Sequence, residues 1–261
     1  MLARAEYPGL FASDSVTWRI HADSSVFIGG LRALLLQVMH PLAMAGVAEH
    51  SNYRADPMGR LWRTSLYVGT TTYGSADDAR AAIATVKRVH ERVVGVAPDG
   101  RPYAANDPHL LTWVHHTLVD SFLRSYRRYG AESLTDADAD RYVAEMAVLA
   151  DEFGAEPPAR SVADLRAWFR AERPELRATG QAREVVRFLM VPPLPVISRP
   201  AYGVIASAAV GLLPRSVRRE LWLPTLPALD PLVVRPATRT LMRTLDWIMA
   251  SIDRPTPTAA A

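Results

Sequence analysis

Residues 107–129, DPHLLTWVHHTLVDSFLRSYRRY, decide how the rest of the chain is read. Asp107 is a good N-cap, because its carboxylate can accept from free amides of the first turn. Pro108 suits the first helical position, where a missing amide costs nothing. Apolar residues then recur at helical spacing through Tyr129. Leu111, His115, Leu118, Val119 and Phe122 share one face, so His115 is expected to point inward, with His116 about 100° around the helix.

The same start recurs upstream, where Asp56 and Pro57 open a helix predicted to reach about Val68. Ser75 and Asp78 form a capping-box variant for a helix to about Val94, before Gly95. A long apolar helix is predicted from Phe27 to Ala48, interrupted or kinked at Pro41. Downstream, helices are expected over Asp136–Phe153, Ser161–Glu172, Glu175–Met190, Ala201–Leu213, Arg215–Trp222 and Leu232–Ile252. The proline-dense VPPLPVISRP (191–200) reads as an extended crossover. Period-2 alternation is scarce and no internal repeat is evident. The expectation is an all-α protein: a single globular multi-helix domain over residues 1–253, with 254–261 as a disordered tail.

With 261 residues, 49% of them apolar and 22% charged, the chain has an ordinary globular composition. The net charge is +3, and Lys87 is the only lysine. Many arginines adjoin acidic residues in helix-like segments, as in AEMAVLADEF and RAWFRAERPELR. No dominant basic patch emerges, so nucleic acid is not an expected partner. The absence of cysteine excludes disulfides, thiolate metal sites, iron–sulfur clusters and covalent CxxCH haem attachment. No window approaches the roughly 20 apolar residues of a membrane-spanning helix, and the N-terminus lacks a signal-peptide core. The expected location is cytoplasmic, with a peripheral membrane contact left open.

Chemistry is concentrated in QVMHPLAMAGVAEHSNYRADPMGRLWRTSLYVGTTTYG (37–74), where histidines, arginines, hydroxyls and tyrosines interrupt apolar sequence. Burying such groups costs free energy unless each finds a partner or a ligand. Arg60 and Thr64, four apart, project from one helix face, with Arg63 on a neighbouring strip. They can hold an anion such as a carboxylate, or can simply be a solvated face. His90 shares an apolar face with Ile83, Val86, Val93 and Val94 and is expected to point inward, as a core histidine or an axial haem ligand. His115 and His116 are its rivals for that ligand role. His40 and His50 read as structural or pocket-lining groups. No GxGxxG, GxxxxGK[ST], GxSxG, HExxH or ExxH motif occurs, and zinc lacks a closely spaced ligand pair.

Taken in order, QVMHPLAMAGVAEHSNY, GRLWRTSLYVGTTTYG, VKRVHERVVG, GRPYAANDPHLLTWVHHTLVDSF and LLPRSVRRELWLP resemble the latex-clearing-protein or mpaB-type oxygenase family over most of the chain. The resemblance implies an all-α fold with non-covalently bound haem b. It also implies dioxygen-dependent cleavage or oxidation of hydrophobic substrates, polyisoprene being the best known. The family's arginine and threonine near the haem match Arg60 and Thr64, and its axial histidine is best matched by His90. A lysine able to approach the distal side falls at Arg63, and arginine is a very poor metal ligand. The family's catalytic glutamate falls at Met44, with Glu49 the nearest carboxylate, which weighs against polyisoprene itself. The resemblance therefore implies a haem b (iron) oxygenase or oxidoreductase for a terpenoid, lipid or other hydrophobic small molecule. The alternative is a non-catalytic haem- or lipid-binding helical protein on the same scaffold.

Overall fold

The computed structural model describes residues 9–224 and 230–252, so the expected tail at 254–261 lies outside the described residues. Twelve α-helices and one two-stranded hairpin are present among the described residues, and the architecture is all-α.

Caps mark the helix starts. Asp56 accepts from Gly59 N at 2.9 Å to open α4 (Pro57–Tyr73), and Ser75 accepts from Asp78 N at 3.1 Å to open α5 (Ala76–His90). Asp107 caps α6 (Pro108–Tyr129), Thr135 and Asp138 form a reciprocal capping box on α7 (Asp136–Phe153), and Ser161 caps α8 (Val162–Glu172). Thr179 caps α9 (Gly180–Met190), followed by α10 (Arg199–Gly211), α11 (Arg215–Glu220) and α12 (Arg235–Ile252). The expected start of α9 at Glu175 is too early. Arg173–Glu175 forms a 3-10 turn, and the Arg177 amide donates to Met39 O instead of continuing a helix.

Two departures from the sequence reading matter, beside one expected break. Ser15 caps an unexpected short helix, α1 (Val16–Ala22). The long apolar helix is interrupted at Pro41 as expected, giving α2 (Val26–Gln37) and α3 (Pro41–His50), bent by 105° with His40 as the N-cap residue of α3. Proline thus begins a helix there rather than kinking one. The helix through His90 stops at that residue, because β1 (Val94–Val96) pairs antiparallel with β2 (Pro102–Ala104), placing Val94 opposite Ala104. Gly100 at φ 86° supplies the left-handed residue of the connecting turn.

The core is organised around α6. One side packs Ile28, Leu35, Met39 and Trp113 with residues of α9, α10 and α12. The other packs Val119, Phe122 and Tyr126 with Ile20 of α1 and Tyr142, Val143 and Met146 of α7. Helices α2 and α6 meet at Gly29, where a Cβ would stand 2.6 Å from Phe122 Cδ1. Next to this contact Arg32, 1% exposed, pairs with Asp120 at 2.8 Å and donates to Ser121 Oγ at 2.7 Å and to Leu212 O at 3.1 Å. An enclosed guanidinium with both a carboxylate and neutral acceptors is satisfied. Among the described residues no single helix is long and apolar enough to cross a membrane.

Candidate functional site

The first half of α4 is poorly covered: Met58, Leu61, Trp62 and Leu66 are exposed, Trp62 at 70%. Arg60, Thr64 and Tyr67 follow one another at four and three residues, so they form a single stripe. Arg60 is half-buried and donates to Ser51 Oγ through a close contact. It has no carboxylate partner among the described residues, and burial is the main cause of its lowered pKa. Thr64 donates to the Arg60 carbonyl at 3.0 Å, a local helix bond that leaves its lone pairs free. Arg63 behaves differently, pairing with Asp56 at 3.1 Å across an exposed surface.

His90 closes α5 at the far end of this stripe. Its ring lies 5.9 Å from that of Phe153, which in turn lies 6.3 Å from Tyr67. Phe153 therefore links the histidine to the Arg60–Thr64–Tyr67 stripe. The His90 Nδ1 is buried without a hydrogen-bond partner, and burial lowers the pKa of the ring. A neutral imidazole with an unengaged nitrogen is the form a metal binds.

Both α6 histidines are enclosed. His116 is the more fully buried, because the inward face runs through Thr112, Trp113, His116 and Asp120, while His115 keeps part of its surface accessible. His116 Nε2 accepts from the Ala159 amide at 3.0 Å, and burial pushes its pKa down to about 4. That bond occupies Nε2, while Nδ1 is buried without a hydrogen-bond partner, as it is in His90. His115, 5.7 Å from His116 between ring centroids, is held down to about 3 by burial and then by its neighbour.

A second constellation was not foreseen. His40, His109 and Glu172 bring ligand-type atoms within 4.8 Å of one another. His109 Nε2 stands 3.1 Å from Glu172 Oε1, and His40 Nε2 stands 3.6 Å from the same oxygen. Glu156 approaches the other nitrogen of His109, Nδ1, at 3.1 Å. Burial, followed by the charge of His109, pushes His40 down to about 4. For His109 burial acts downward too, but the hydrogen bonds with Glu156 and Glu172 outweigh it and its pKa rises. Residue spacing had no way to reveal this group, since its members come from three separate elements. Its one local signal is that His40 precedes Pro41, and so must stand at a helix start rather than within a helix.

The remaining sequence candidates have settled roles. Met44 is fully buried in the core, whereas Glu49 accepts a close hydrogen bond from the Tyr103 hydroxyl, which also lies 3.2 Å from His50 Nε2. A cleft of about 390 Å³ lies between α6 and α8, lined by Arg124, Arg127, Arg128 and Arg166 among others, and none of the candidate site residues lines it.

Residues 18–247 match the family model described as "ER-bound oxygenase mpaB/B'/Rubber oxygenase, catalytic domain". No curated protein matches the chain, and no solved structure does.

Proposed function

The chain belongs to the mpaB/rubber oxygenase catalytic-domain family, and from that premise we propose that it is a haem b-dependent oxygenase acting on a hydrophobic small molecule with dioxygen. The observation that carries the haem reading is that two groups stay open to a ligand. Arg60 is a half-buried cation with no carboxylate partner among the described residues, and His90 is a neutral imidazole with a buried, unpartnered nitrogen. A haem offers what each lacks: propionates for the guanidinium and iron for the imidazole. The residues present therefore fit the group.

In this reading His90 would hold the iron and Arg60 would bind a propionate. Thr64 would offer its hydroxyl to a ligand oxygen. Bound haem supplies the activation of dioxygen. The rings of Tyr67 and Phe153 would keep water away from the reacting centre, which suppresses side reactions. Met58, Leu61, Trp62 and Leu66, exposed along the same helix, favour an apolar substrate such as a terpenoid or lipid. Arg63 is paired with Asp56, and a guanidinium is a very poor metal ligand, so it would contribute no iron ligand.

An absorption spectrum tests the proposal. Protein purified from haem-replete cells should show a Soret band that is lost in His90→Ala while the circular dichroism is kept. No band in the parent protein would sink the haem reading. Oxygen uptake with a panel of hydrophobic substrates then separates an oxygenase from a non-catalytic binder, which would show haem but no turnover.

A further inference from the structure

We propose that His40, His109 and Glu172 form a binding site for a divalent first-row transition ion, distinct from the residues assigned to haem. The three come from element ends: His40 from the sharp bend before α3, His109 from the first turn of α6, and Glu172 from the last residue of α8. Two imidazoles and one carboxylate are a donor set for iron(II) or zinc, with the remaining positions left to water or a ligand.

Two of the three separations fit one shared ion. Ligands about 2.1 Å from a metal stand ~3.0 Å apart at a right angle and ~3.4 Å apart at the tetrahedral angle. The observed separations from Glu172 Oε1 are 3.1 Å to His109 Nε2 and 3.6 Å to His40 Nε2. Both nitrogens converge on the same oxygen. Acceptor lone pairs cannot face each other at such distances unless a proton or a cation lies between them.

A proton alone leaves the group incomplete. An imidazolium at His109 bridging Glu156 and Glu172 would satisfy that residue and both carboxylates. It leaves His40, 2% exposed, with Nε2 3.6 Å from Glu172 Oε1, too far for a hydrogen bond. A metal engages His40, His109 and Glu172 together. Glu156 then takes the outer role common to metal-bound histidines, accepting from His109 Nδ1–H and fixing Nε2 as the ligand atom. Trp113 flanks His40 with ring centroids 5.9 Å apart, and Trp168 flanks His109 at 6.1 Å, so apolar walls shield the site.

The same two indoles make the test direct. Full-length protein without a histidine tag, freed of metal by chelator dialysis, is titrated with Co²⁺ while tryptophan fluorescence and cobalt absorption are followed. One saturable equivalent per chain is expected, with matching quenching and visible bands. His109→Gln and Glu172→Gln should each weaken binding at least tenfold, and Glu156→Gln about 10-fold to 100-fold. His90→Ala should leave the titration unchanged, which keeps this site separate from the haem assignment. Absence of a saturable equivalent, or an unchanged titration in both His109→Gln and Glu172→Gln, overturns the proposal in favour of the protonated bridge. His109 is partly exposed, so His109→Gln decides the question alone if Glu172→Gln does not fold.

Discussion

Arg60 and Arg63 stand three residues apart on one helix and meet opposite environments. Arg63 has a carboxylate at the surface, while half-buried Arg60 has a serine hydroxyl and no carboxylate among the described residues. Arg60→Ala and Thr64→Ala should therefore reduce haem retention or turnover more than folding. Thr64 is exposed, so its loss should change stability by no more than about 0.5 kcal/mol. Urea midpoints read beside Soret amplitude check this, and simple unfolding of both variants would assign them a structural role instead. Arg63→Lys places an amine that can deprotonate where a guanidinium cannot. A six-coordinate haem spectrum is expected if the position faces iron, and an unchanged spectrum would place residue 63 away from it. The Arg60–Thr64 strip was legible in sequence because helical periodicity alone aligns such residues; Tyr67 joins it in the structure. Its link to His90 was not, because it passes through Phe153, more than sixty residues further along.

Among the elements, the α2–α6 pair shows how neighbouring glycines differ in consequence. A Cβ on Gly29 would meet Phe122 Cδ1 at 2.6 Å, Ser125 Oγ at 2.7 Å and Phe122 Cα at 3.1 Å, and backbone cannot rotate aside. On Gly30 it would meet nothing within 4 Å. Gly29→Ala should destabilise by about 1–3 kcal/mol despite alanine's better helix propensity. Gly30→Ala should stabilise by about 0.5–1 kcal/mol through the unfolded chain's lost freedom. Thermal denaturation of the two variants should move in opposite directions, and equal shifts would contradict this packing. Helix starts were legible because caps are local chemistry: Asp56, Ser75, Asp107 and Ser161 each cap the helix predicted from them. The end of α5 was misjudged, since Val93 and Val94 continue a helical pattern but are drawn off by the hairpin. Strand pairing is non-local, and periodicity over a single turn cannot register it.

Across the whole molecule, buried neutral histidines tie the helices together and set the response to acid. His21 lies 2.8 Å from Thr72 Oγ1 and 3.3 Å from the Tyr142 hydroxyl, joining α1, α4 and α7. Burial pushes it down to about 3, and His116 down to about 4, from an ordinary value of 6.5. Below pH 6.5 the unfolded chain takes up these protons while the folded protein still refuses them. Their contribution is complete above that pH and is lost as pH falls towards the folded values. Each of the two then lowers stability by about 1.4 kcal/mol per pH unit. Urea midpoints should fall steadily from pH 7 to pH 4.5, and a flat profile would contradict the buried neutral state.

The sequence by itself determined the all-α class, most helix starts, the family and the Arg60–Thr64 stripe. All four rest on local chemistry, on periodicity within one helix, or on ordered motifs. Tertiary structure decided which α6 histidine is the more fully buried, how sharply the apolar helix bends at its break, and that His40, His109 and Glu172 converge. Those outcomes depend on how separate elements pack, and packing brings together residues whose separation along the chain carries no sign of contact.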